Sequence, residues 1–203
     1  MGKRKQEKHE FEKRQKQVRD AARKLFWKQG YSRTTMPQIA AEVGLAPGTL
    51  YLYFSGKSAL YAALLEEGYE ILLERLQEQL NGDLPPNQQA GAMIDVFIQF
   101  ATEHPSYFDI IFFVFQREGA GWEGNLKDSQ IERILAHEEA CKAAVAQLLG
   151  RVLTKGSDDD RTAMVNAIWS MLAGMIFFFK GKEDFQEVAA QARSILLSAV
   201  FGT

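Results

Sequence analysis

Residues 35–60 read TMPQIAAEVGLAPGTLYLYFSGKSAL, and the breaks in that stretch decide the fold. Thr35 stands three residues before Gln38, the spacing of a capping box, so a helix starts there with Pro37 tolerated in its first turn. Ile39, Ala40 and Val43 recur at helical spacing and form its buried side. Gly44 then permits a sharp turn. A second, very short helix spans about Pro47–Phe54, and Ser55-Gly56 breaks it before another helix begins at Lys57. Two short helices joined by a glycine turn make a helix-turn-helix unit. The first braces the second, and the second is short enough to enter a DNA major groove ~12 Å wide.

Working outward, the pattern stays helical, with no convincing alternating strand. A first helix runs from about Glu10 to Gln29, with the stripe Phe11, Val18, Ala22, Leu25 and Phe26, and Gly30 stops it. The helix from Lys57 to about Leu80 carries Leu60, Tyr61, Leu64, Tyr69, Leu72, Leu73 and Leu76. Residues 81–86, NGDLPP, form the clearest linker. Further helices are expected at about 87–103, 105–117, 124–152, 158–181 and 184–201. Ile110–Phe115 has strand-like composition, but the spacing of Phe108, Ile111, Phe112 and Phe115 favours a helix face. The fold class is therefore all-α, with about nine helices. An N-terminal three-helix domain spans 1–56 and a helical bundle 57–203, with helix 57–80 bridging the two.

Charge divides the same way. The 203 residues carry a formal net charge of -2, which by itself suggests no partner. Residues 1–62 hold 13 basic and 5 acidic side chains, a net +8, and residues 63–203 hold 11 and 21, a net -10. Such asymmetry points to a polyanion at the basic half. The arm containing Lys3, Arg4, Lys5, Lys8, Lys13 and Arg14 would track a phosphate backbone or reach into a minor groove, or be a solvated tail. The single cysteine, Cys141, excludes an internal disulfide framework and a multi-cysteine zinc site, and fits a reducing cytoplasm. The first residues are charged with no apolar run behind them, unlike a secretory signal.

The pattern from Thr35 to Leu60, with the preceding Ala22-x-x-Leu25-Phe26-x-x-x-Gly30-Tyr31, closely resembles the signature of the TetR family of bacterial transcriptional regulators. The resemblance covers about residues 15–65. It implies a homodimer with an N-terminal DNA-binding domain and a C-terminal domain for ligand binding and dimerisation. The DNA face would then comprise Arg33, Thr35, Gln38, Pro47, Gly48, Thr49, Tyr51, Leu52, Tyr53 and Lys57. Thr35 caps its helix, and its hydroxyl, with the unpaired backbone N–H groups there, would hold a phosphate. Gly48 allows close approach, Thr49 a base or phosphate contact, Tyr51 and Tyr53 hydroxyls to phosphates, and Lys57 a charge. Pro47 stands where the family often has a side-chain donor. The short helix is thus poor in base readers, which shifts that role to Arg33, Gln38 and Thr49 and part of it to DNA shape.

The acidic half is rich in aromatic residues. Phe97, Phe100, His104, Tyr107, Phe108, Ile111, Phe112, Phe115 and Trp122, with Trp169, Leu172 and Met175, are the candidate lining of a pocket for an apolar or aromatic effector. His104, Asp109 and His137 are its candidate polar groups. His137 and Cys141 lie four apart on a helix, but two ligands make no metal site. No metal or cofactor is expected. Thr162–Phe179 is 18 residues without a charge, near the length of a membrane span, and is read as a helix buried in protein. The last two helices present Met164, Ile168, Met171 and Phe178, then Phe185, Val188, Ala192, Ile195, Leu196 and Ala199, which would pair with a second copy as a four-helix interface. Two-fold symmetry would match a palindromic operator. The expected function is a cytoplasmic, ligand-released repressor. An enzyme is disfavoured for want of a triad, a phosphate loop or a repeated carboxylate/histidine motif. The alternative is a membrane-associated helical adaptor using the basic arm and the 162–179 helix.

Overall fold

The computed structural model describes residues 2–112, 126–153 and 157–202. Nine helices and no strands occur among the described residues: α1 (Gly2–Gln29), α2 (Met36–Glu42), α3 (Pro47–Leu50), α4 (Lys57–Leu80), α5 (Pro86–Glu103), α6 (Pro105–Phe112), α7 (Asp128–Val152), α8 (Asp158–Phe179) and α9 (Phe185–Phe201).

Three boundaries differ from the sequence reading, one of them the start of α7 at Asp128 rather than near 124. α1 begins at Gly2, not near Glu10. Its first three turns lack an apolar stripe, but Lys, Arg, Glu and Gln are strong helix formers, and the ion pair Lys8–Glu12 at 3.7 Å adds i,i+4 support. α3 ends at Leu50, not Phe54. There the N–H groups of Tyr53 and Phe54 both reach the Leu50 carbonyl, at 3.0 and 3.1 Å, which closes the chain into a turn.

The chain packs as two compact units, Met1–Gly68 with Ser106–Ile134, and Tyr69–Pro105 with Leu135–Thr203. These units are drawn differently from the expected 1–56 and 57–203 division: α6 is tied to α1 and the first half of α4, and the boundary falls within α4. In the first unit, Val18, Ala22 and Phe26 of α1 meet Ile39, Leu50, Leu60, Tyr61, Leu64 and Phe108 in the core. Phe26, Tyr31 and Tyr61 form an aromatic cluster with centroids 5.1–5.6 Å apart. Polar contacts then fix α6. Tyr61 donates its hydroxyl to the Ile110 carbonyl at 2.7 Å, Arg23 donates to the Ser106 hydroxyl at 2.8 Å, and Trp27 donates to Asp109 at 2.9 Å. The Arg23 guanidinium also lies 4.6 Å from the Tyr107 ring centroid, where cation–π attraction applies. Gly68 makes room for this docking: a Cβ there would sit 2.9 Å from Ile111 Cδ1.

In the second unit α9 packs on α8 and α5. Its core includes Leu72, Leu76, Phe97, Phe100, Leu148, Trp169, Leu172 and Ile176. The end of α4 is closed by side chains from elsewhere. Buried Gln89 donates to the carbonyls of Leu80 and Gly82, at 3.3 and 2.7 Å, and Arg151 donates to Leu80 at 3.0 Å. Ser157 and Asp160 form a capping box at the start of α8. The Ser157 N–H and hydroxyl hold the Asp160 carboxyl below its ordinary pKa. Cys141 is buried and donates to the Tyr69 carbonyl at 3.6 Å, and burial pushes its thiol up to about 12.

Gly44 lies at φ +66°, a region that costs a side chain about 1–2 kcal/mol. Gly150, in the last turn of α7, has open space where a Cβ would stand. Gly44→Ala is therefore expected to destabilise by about 1–2 kcal/mol, and Gly150→Ala to stabilise by about 0.5–1 kcal/mol. Urea denaturation of both variants checks the opposite signs.

Candidate nucleic-acid interface

α2 begins with the capping box foreseen from Thr35 and Gln38. The Thr35 hydroxyl accepts from the Gln38 N–H at 3.4 Å, and the Thr35 N–H donates to Gln38 Oε1 at 2.9 Å. Gly44 turns the chain, and the Leu45 N–H bonds the Ala40 carbonyl at 2.9 Å, which sets α3 against α2. Leu50 and Phe54 are buried and hold α3 inward. Pro47, Gly48, Tyr51 and Leu52 are exposed, and Thr49 and Tyr53 are half-buried. Leu52 is 73% exposed, a large apolar side chain with no packing role in the chain.

The expected DNA-face residues thus fall into two groups. Arg33, Thr35, Gln38, Pro47, Gly48, Tyr51 and Leu52 are all exposed around the helix-turn-helix. Several, including two of these, have partners inside the unit. Lys57 donates its ammonium to the Tyr31 carbonyl at 2.8 Å and sits 4.2 Å from the Tyr31 ring centroid, so it ties the start of α4 to the loop after α1. Gln38 Oε1 also takes the Gln29 amide at 3.3 Å, and Arg33 Nε donates to the Gln29 carbonyl at 2.6 Å. Tyr53 stacks on Phe11 of α1 with centroids 4.9 Å apart. Phe11 is legible as the first residue of the α1 stripe, but nothing local in the sequence points to Tyr53 as its partner.

The expected pocket residues separate as well. Phe97, Trp169 and Leu172 line a small apolar cavity of ≈ 40 Å³ in the second unit, with Met93, Leu148 and Ile168. Phe97 and Trp169 meet edge to face at 5.0 Å. Phe100 is buried in the same unit and Met175 is half-buried, and neither lines it. His104 ends α5, with its ring 3.1 Å from Arg75. Tyr107, Phe108, Ile111 and Phe112 belong to α6 of the first unit, so they are not part of this cavity. Asp109 likewise bonds Trp27 there rather than serving the pocket. His137 lies 3.4 Å from Glu70. Phe115 and Trp122 lie outside the described residues.

α8 corrects a further expectation. Only Val165, Trp169, Leu172, Ala173 and Ile176 are buried, and 22% of its most apolar window is inside the protein. Its hydrophobic residues lie on all sides, and one face packs within the unit. Met171, Phe177, Phe178 (64%) and Ile195 of α9 are exposed. Ala199 is exposed, Met164, Val188 and Ala192 are half-buried, and Phe185 and Leu196 are buried within the unit. Those two anchor α9 to its own chain and are no part of an exposed face.

Residues 18–64 match the family model for bacterial regulatory proteins of the tetR family. The fatty acid metabolism regulator protein of Bacillus subtilis is 35% identical over 89 residues, 43% of this chain and 46% of that protein. The HTH-type transcriptional activator FasR of Mycolicibacterium smegmatis is 26% identical over 155 residues, 75% of this chain and 65% of that protein. The match thus spans about half the length of several curated relatives. The fold extends further. The crystal structure of the transcriptional regulator FadR from Bacillus subtilis in complex with stearoyl-CoA superposes with a TM-score of 0.72 at 18% identity, over 90% of this chain and 97% of that one. Residues 18–64, which hold the helix-turn-helix, therefore match the DNA-binding domain of the tetR family, and the chain as a whole has the fold of that family's solved regulators.

Proposed function

We propose that this protein is a cytoplasmic DNA-binding transcriptional regulator, not an enzyme, that binds a palindromic operator as a homodimer and releases it on binding an apolar effector. One observation carries the reading. The exposed face of the helix-turn-helix, Thr35, Gln38, Pro47, Gly48, Tyr51 and Leu52, lies in the half of the chain with net charge +8. Leu52 suits contact with a thymine methyl, and Tyr51 suits a phosphate oxygen. The acidic half would be repelled by DNA, which confines contact to the basic unit.

Affinity for duplexes selected from a random pool tests this. Tyr51→Phe should weaken selected and unrelated duplexes alike, by about 5-fold for one hydrogen bond of ~1 kcal/mol. Leu52→Ala should weaken the selected duplex more than unrelated DNA. Absence of selection, or salt-independent affinity, contradicts the reading.

The exposed face of α8 and α9 supports dimerisation through Met171, Phe178, Ile195 and Ala199, with Met164, Val188 and Ala192 at its margin. A face this apolar is costly in water unless covered. Phe178→Asp should turn a dimer into a monomer in sedimentation, without detergent, and abolish high-affinity operator binding. A wild-type protein that sediments as a monomer, or needs detergent, would favour the membrane-adaptor reading.

The cavity beside Phe97, Trp169 and Leu172 supports an apolar effector, since its walls offer almost no polar group. It is too small for a whole ligand, so occupancy requires side chains to move. α4, which runs from the first unit into the second, would carry that movement to the reading head and release DNA. The stearoyl-CoA named for the Bacillus FadR structure makes long-chain acyl-CoA the first probe. Stearoyl-CoA should release the duplex, and Leu172→Trp, which fills the cavity, should abolish release while preserving DNA binding. Release unchanged in that variant would contradict the cavity assignment.

A further inference from the structure

We infer that the first three turns of α1 form a rigid basic arm that grips DNA phosphates flanking the operator. The inference rests on the DNA-binding reading and extends it to residues outside the helix-turn-helix. α1 is continuous from Gly2 to Gln29. At ~100° per residue, Arg4, Lys8, Phe11 and Gln15 fall on the stripe that continues as the buried Val18 and Ala22. The core face of α1 therefore becomes a basic face where it runs past the bundle.

Two contacts fix where that face points. The Phe11 ring stacks on Tyr53 at 4.9 Å, and the Gln15 amide donates to the Tyr53 carbonyl at 3.4 Å. Tyr53 closes the turn after α3, so Arg4 and Lys8 extend from the recognition segment itself. Residues 2–16 carry seven basic and three acidic side chains. Glu7 and Glu12 border the stripe, and Lys8 pairs with Glu12 at 3.7 Å. Both partners are largely exposed, so that pair is weak and exchangeable for a phosphate.

The helical state also decides the mode of contact. A helix ~10–12 Å across does not enter a minor groove ~6 Å wide, which sets aside the minor-groove insertion considered for this arm. The contact is with the backbone. Arg4 stands seven residues before Phe11, a rise of ~10 Å, which corresponds to ~3 base pairs beyond the reading head. Backbone contacts add affinity without sequence preference.

The test compares the full-length protein with Arg4→Gln/Lys8→Gln and with the charge-preserving Arg4→Lys/Lys8→Arg, on a selected duplex across a salt series. Both positions are exposed, so neither variant disturbs packing. The neutral variant should lower the slope of log K against log salt by ~1.8 per protomer, ~0.9 for each phosphate lost. It should weaken selected and unrelated DNA by the same factor, and the charge-preserving variant should match the wild type. Trimming the duplex to the selected core should erase the difference. An unchanged slope in the neutral variant, with the wild type still binding, overturns the arm alone. A wild type that selects no duplex overturns the DNA-binding reading and the arm with it.

Discussion

A helix of four residues cannot stand by itself, since nucleation costs more than one turn of hydrogen bonds returns. α3 exists because Leu50 and Phe54 are buried, because it packs on α2, and because Gly44 adopts a φ of +66° that turns the chain there. The rest of the first unit serves that constraint. Phe26, Tyr31 and Tyr61 fill the space beneath, Lys57 closes the loop over Tyr31, and the Thr35–Gln38 box fixes the start of α2. With Leu50 and Phe54 used for anchorage, α3 and the turn after it leave Pro47, Gly48, Tyr51 and Leu52 outward. The small size of the element makes both its packing and its exposed surface readable.

α6 is tied to the same unit by chemistry of a different kind. Arg23 bonds Ser106 and lies over Tyr107, Trp27 bonds Asp109, and Tyr61 bonds Ile110. These directional polar contacts act beside the burial of Tyr107, Phe108 and Ile110. Burial and the nearby Glu67 carboxylate push the Tyr107 hydroxyl well above its ordinary pKa, so it stays neutral and serves as a donor. A set of discrete hydrogen bonds can be remade in a second arrangement more readily than a close-packed core, as the proposed effector response would require.

The sequence made the helix-turn-helix legible because its determinants are local: a capping pair three residues apart, a glycine turn, a proline start. Element order and approximate lengths followed from periodicity. What escaped was set by contacts distant in sequence. Tyr107 and Phe108 read as pocket aromatics, yet they join α1 and α4 in the first unit. Phe185 and Leu196 shared a stripe with Ile195, and only packing against the chain's own helices separates anchors from exposed face. α8 is apolar all round, so composition gave no sign of which side is buried. α1 lacked apolar residues before Phe11, so charged helix formers were read as an arm of undefined form.

The central claim is that the surface from Thr35 to Lys57 meets DNA. Hydrogen–deuterium exchange of the full-length protein, with and without a duplex selected from a random pool, tests it most directly. The account predicts new protection concentrated in residues 35–57, with none arising first in the acidic unit. Unchanged exchange across 35–57 while the duplex is bound, or protection confined to residues 135–202, would contradict it.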